Sequence, residues 1–128
     1  MFLTVLQVAA GGAIGASLRY LSGVGVVRLF GSGLSMPLGV LFVNVFGSFL
    51  MGCLVVIVGH KGWGHWNPFL ATGILGGFTT FSSFSLEALT LWERGEPALA
   101  ALYVGLNVAV SLVAIVAGTY AMRTMVMA

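Results

Sequence analysis

Four long apolar stretches, separated by short turns rich in glycine or marked by proline, divide the chain at about residues 2–30, 38–58, 67–93 and 97–122. A helix needs about 20 apolar residues to cross the hydrocarbon of a bilayer, and each stretch is long enough. The first closes near Leu21 or runs on to Phe30, where a Gly-Ser-Gly turn begins at Gly31. Pro37 precedes the second, and Pro97 suits the first turn of the fourth, where a missing amide costs nothing. The loop GHKGWGHW, residues 59–66, joins glycines, a lysine and two tryptophans in a mixture typical of the membrane–water boundary. The third stretch is interrupted: residues 76–85 read GGFTTFSSFS, and an adjacent glycine pair predicts a break in the helix from Gly76 to Thr80.

Composition supports the pattern. Only 6% of residues are charged and the mean hydropathy is +1.11, so there is too little polar surface to cover a water-soluble core. The reading is an all-α integral membrane protein, one four-helix domain over residues 1–128. The N-terminal stretch lacks a basic region ahead of its apolar run and reads as the first helix, not as a cleaved leader. The net charge of +2 comes from five scattered basic residues that form no patch for nucleic acid. Cys53 is alone and reads as a small buried apolar residue, while His60 and His65 have no acidic or thiol neighbours to complete a metal site.

Sidedness is undecided by charge. With four crossings, Lys61 and Arg123 share the side of the termini, Arg28 and Arg94 take the other, and adding Arg19 and the N-terminal amine keeps the tie. A tie follows from insertion in both orientations, giving an antiparallel homodimer, or from an orientation governed by something other than basic residues. Two small-residue rows on the first helix, Gly11 with Gly15 and Gly12 with Ala16, allow another backbone to approach closely. Four helices enclose little volume, so a solute path is more easily built between two copies than within one.

The candidate chemistry is neutral. Thr79, Thr80, Ser82, Ser83 and Ser85 put hydroxyls at a depth where lipid offers no hydrogen bonds. Asn44 lies in the middle of the second helix with Ser48 one turn on, and Tyr103, Asn107 and Ser111 form an i, i+4, i+8 stripe on the fourth. Phe81 and Phe84, three apart, are expected to share a helix face and present electropositive ring edges. Each polar residue could serve only to tie helices together; as a set of neutral donors they suit a compact anion, since a cation path would carry carboxylates or a carbonyl filter. A helix break adds freed amides for an anion and freed carbonyls for a small cation. Arg19 reads either as a snorkelling side chain or as a cation at a pore mouth, and Glu87 as an interfacial carboxylate. No nucleophile–base pair or phosphate loop is present, so the chain is not expected to be an enzyme.

The run GGFTTFSSFS, with Asn44 in GVLFVNVFGSF and GASLRY in the first helix, resembles the bacterial fluoride channels of the Fluc or CrcB family over the whole chain. That resemblance implies four-helix subunits paired antiparallel into dual-topology homodimers in the bacterial plasma (inner) membrane. It also implies two pores per dimer that passively and selectively export cytoplasmic fluoride. By the same resemblance, Phe81, Phe84, Asn44, Thr80 and Ser83 belong to the fluoride pore, Tyr103, Asn107 and Ser111 to its polar track, and Arg19 to a vestibule. Main-chain carbonyls of Gly76 and Thr79 from both subunits would hold a structural sodium. Two positions depart from the family pattern: Val40 where members can carry threonine, and Asn107 where they can carry serine. The competing readings are a small dual-topology exporter of cations or drugs, which needs an embedded carboxylate that the first helix lacks, and a purely structural membrane protein.

Overall fold

A computed structural model describes all residues, Met1–Ala128. It is all helical, with four helices long and apolar enough to span a membrane: Phe2–Phe30, Leu38–Lys61, Gly64–Glu93 and Pro97–Met127. The first runs unbroken for 29 residues, about 43 Å at the α-helical rise. The second begins after Pro37 and continues past Val58 to Lys61, where Gly62 takes the left-handed conformation and its amide caps the Val58 carbonyl. The fourth starts at Pro97 and reaches Met127 instead of stopping near residue 122. Gly59 and Arg123 do not end their helices because both remain in the apolar-flanked ladder.

The third span is composite. A tight turn at Gly64–Trp66 leads into a wide, π-type stretch Pro68–Leu75 and an α-helical turn Gly76–Phe78. Thr79 and Thr80 are then extended (φ −83°, ψ 159° and φ −152°, ψ 122°), and a helix resumes over Phe81–Glu93. The glycine pair is therefore not where the chain leaves the helix: Gly76 keeps helical dihedrals (φ −64°, ψ −37°). What the glycines provide is closeness. A Cβ on Gly77 would lie 2.8 Å from the Gly12 carbonyl oxygen, and one on Gly11 or Gly15 would collide with the carbonyls of Phe69 and Ile74. The first helix thus seats backbone to backbone on the first half of the third span.

A second seam of the same kind joins helix two to the end of helix four, where side chains on Gly52 and Gly118 would strike the Ile115 and Phe49 carbonyls. Between these seams, Phe84, Leu91, Ala100 and Tyr103 form the buried core, with Val40 packed against it. Only 17 of 128 residues are buried, and large apolar side chains cover the outside, so that surface meets lipid or another copy. The one ion pair, Arg94 with Glu96 at 3.6 Å, is exposed and adds little. Cohesion comes from packing.

Gly15→Ala should therefore cost about 1–3 kcal/mol through overpacking against an immovable carbonyl. Gly59→Ala, with nothing within 4 Å of the new methyl, should be neutral or mildly stabilising. Thermal unfolding of the purified variants in detergent, followed by circular dichroism, checks the contrast.

Candidate functional site

Asn44 is the hinge of the polar region. Its Oδ1 accepts the Thr80 amide at 2.8 Å, and its Nδ2 donates to the Thr80 carbonyl at 3.0 Å and to Asn107 Oδ1 at 3.0 Å. One side chain thus takes over both main-chain groups of Thr80, which is why the backbone can leave the helix there without leaving polar groups unpaired in an apolar setting. Thr80 completes the restart of the helix by accepting the Ser83 amide on its Oγ1 at 3.1 Å, an N-cap. Thr79 turns its hydroxyl back to the Leu75 carbonyl at 3.0 Å.

Asn107 sits in a second widened stretch, Leu106–Val110, on the fourth span. Wide turns of this kind recur at functional sites because they rotate a side chain off the regular helical face. Here the Asn107 Nδ2 donates to the Tyr103 carbonyl at 3.1 Å, which leaves its Oδ1 facing Asn44. Tyr103 is fully buried, and its hydroxyl donates to Glu87 Oε2 at 2.7 Å.

A cleft of about 370 Å³ opens along this network. Asn44, Thr79, Thr80, Phe81, Phe84, Asn107 and Ser111 all line it, together with Ser48, and no ionisable side chain does. Ser111 contributes a buried hydroxyl with no partner in the chain, and a buried donor without a partner marks a place for a ligand or water. The start of the helix Phe81–Glu93 adds its partial positive end beside the cleft. Neutral donors in a low-dielectric wall can stabilise a small anion without holding it as a fixed countercharge would.

Not every expected residue joins the cleft. Ser83 lies outside its lining, Tyr103 stands behind Phe84 with ring centroids 5.6 Å apart, and Gly76 is also outside. Arg19 borders a separate cavity of about 280 Å³, with Val40 and Glu87. The aromatic expectation needs revision too. Phe81 and Phe84 touch edge to face, with centroids 5.4 Å apart, but Phe84 is 7% exposed and Phe81 77%. They do not share one environment within the chain, because Phe81 opens the helix where Phe84 already faces its core.

Glu87 was read from sequence as interfacial. Within the chain it is half buried, accepts the Tyr103 hydroxyl and borders the Arg19 cavity. Its place three residues after Phe84, hence on the same helix face, is the signal that could have revealed this. Val40 packs on apolar neighbours and offers no donor.

The main chain also carries a possible cation donor set. The amides that would normally bind the Gly76 and Thr79 carbonyls, four residues on, are taken by Asn44 Oδ1 and Thr80 Oγ1. Two carbonyl oxygens are thereby released from the helical ladder, and uncharged oxygens of this type fit a small hard cation such as sodium.

Comparison with known proteins gives a consistent family. The sequence model described as "CrcB-like protein, Camphor Resistance (CrcB)" matches residues 6–119. A "Fluoride-specific ion channel FluC" of Cereibacter sphaeroides (strain ATCC 17029 / ATH 2.4.9) is 59% identical over 123 residues, covering 96% of this chain and 97% of its own length. The protein of that name from Ruegeria sp. (strain TM1040) is 58% identical over 123 residues, with the same coverage of 96% and 97%. One from Agrobacterium fabrum (strain C58 / ATCC 33970) is 48% identical over 118 residues, covering 91% and 93%.

Replacing Asn44 with Ala strands the Thr80 amide and carbonyl, and should destabilise the protein by at least about 2 kcal/mol, since each unpaired buried group costs about 1–3 kcal/mol. The unfolding midpoint in detergent measures this, and Ser48→Ala provides a neutral reference.

Proposed function

Because this chain belongs to the CrcB-like family, we propose that it is a fluoride-specific ion channel of the bacterial plasma membrane, a multi-pass protein and not an enzyme. The observation that carries the reading is the uncharged, donor-lined cleft around Thr79 and Thr80. Fluoride is small and a strong hydrogen-bond acceptor, so leaving water requires closely spaced donors. The open Ser111 hydroxyl, the amides at the Phe81 helix start and the ring edges of Phe81 and Phe84 are of that kind. With no cation on the wall to trap it, the ion would exchange from donor to donor and leave, as passive conduction demands.

We further propose that two copies pair antiparallel and that each copy completes the other's pore, giving two pores. The support is the Phe81 ring, which is 77% exposed and bordered on one side only by its own chain. Such a polar cleft would not be stable facing lipid, so a second copy is its natural cover. The released Gly76 and Thr79 carbonyls from each copy would hold a sodium ion, which when bound supplies the positive charge that balances these converging oxygens. Ser83, Tyr103 and Arg19 then act at one remove: Ser83 through the cap at Thr80, Tyr103 by backing Phe84, and Arg19 by drawing anions to the mouth.

The exporter alternative would have to use Glu87, the one carboxylate embedded in a span, and that group lies outside the donor-lined cleft. Fluoride efflux from liposomes containing the purified protein separates the readings. A channel discharges fluoride down its gradient with no imposed proton gradient once a potassium ionophore carries the balancing charge; no efflux above empty liposomes under that condition counts against it. Phe81→Ile and Phe84→Ile keep bulk but remove the ring edges, and each should slow efflux by about three- to tenfold. Exchanging sodium for a large organic cation during purification should shorten the lifetime of the dimer, read by cross-linking over time.

A further inference from the structure

We infer that Asn107 is a positioning residue that decides whether Asn44 can donate to a passing anion; the inference rests on the channel reading above. The argument is a count of hydrogens. The Thr80 amide can only donate, so it fixes Oδ1 of Asn44 on its own side and turns Nδ2 the other way. That nitrogen has two hydrogens, and both are spent, one on the Thr80 carbonyl and one on Asn107 Oδ1. Asn44 lines the cleft with no free donor.

The two bonds are not equivalent. The one to Thr80 holds the backbone where it leaves the helix, whereas the one to Asn107 joins two side chains and can be given up by rotation of Asn107 alone. Apart from Asn44, Asn107 is held by its bond to the Tyr103 carbonyl in the widened turn and by the neighbouring Tyr103 hydroxyl. The amide pair therefore has two arrangements. In one, Asn107 occupies Asn44; in the other, Asn107 swings away and Asn44 presents an N–H to the cleft beside the partnerless Ser111 hydroxyl, one turn beyond Asn107. An anion in the cleft must compete with the Asn107 carbonyl for that hydrogen.

Asn107→Ser tests this, because a hydroxyl on the shorter side chain cannot reach across as the amide oxygen does. Fluoride efflux should rise by about two- to tenfold, the factor that corresponds to one net neutral hydrogen bond. A gain is informative, since a residue that merely supports the fold would lower flux when removed. In an Asn44→Ser background the same change should give no gain, because the hydrogen to be released is gone. Unchanged or slower efflux from Asn107→Ser, with dimer content equal to wild type by size exclusion, would overturn the assignment, and so would an equal gain in both backgrounds.

A readout independent of flux is available because the chain has only three asparagines, Asn44, Asn67 and Asn107. In protein labelled with ¹⁵N-asparagine, the Asn44 side-chain hydrogens should exchange with solvent faster in Asn107→Ser than in wild type; equal exchange would refute the bond's control of Asn44. Absence of efflux from wild type itself would count against the channel reading, while the exchange comparison would still decide whether Asn107 holds Asn44.

Discussion

The bonding of one side-chain amide to the main chain of one residue organises this molecule. Asn44 replaces the helical partners of Thr80 on both its amide and its carbonyl, and every unusual feature of the polar region follows. Extended backbone inside an apolar bundle is affordable only when its polar groups find partners, since lipid supplies none. With Asn44 in place the third span can bend, restart at Phe81 on a Thr80 cap and expose a helix start to the cleft. The same substitution of partners releases the carbonyl of Gly76, and the Thr80 cap releases that of Thr79. Amides at a helix start and carbonyls freed from the helical ladder thus lie within a few residues of one another.

That arrangement requires the helices to be held at fixed separations, which is the task of the glycines. Gly11, Gly15 and Gly77 let the first helix press on the third span, and Gly52 with Gly118 does the same for helices two and four. Contacts between backbones leave little slack. Asn44 on helix two therefore meets both Thr80 of the third span and Asn107 of helix four within ordinary hydrogen-bond distance, even though the two asparagines lie 63 residues apart in sequence. Packing fixes the amides, and the amides fix the bend.

Much of this is legible in the sequence. Hydropathy and the prolines at 37 and 97 located the four spans, and helical spacing put Asn107 and Ser111 on one stripe. The departure from the helix, at Thr79 and Thr80, falls within the predicted stretch Gly76 to Thr80, but propensity points to the glycines as its cause, whereas the partner that holds it is a side chain 36 positions away. Phe81 and Phe84 were expected on one face, and they do touch, but spacing does not say that the first opens outward while the second joins the core. The contact of Glu87 is hidden from the sequence for a related reason: its partner, the buried Tyr103 hydroxyl, comes from a different helix. Local pattern reports which residues share a face; it does not report what the opposite wall supplies.

The central claim is that a wall of neutral donors, bearing no fixed charge, selects a small anion that accepts hydrogen bonds strongly. The most direct test is a reversal potential in planar bilayers with fluoride on one side and an equal concentration of chloride on the other. The account predicts a large potential of the sign set by fluoride moving alone. A reversal potential near zero, meaning that chloride passes as readily, would contradict it.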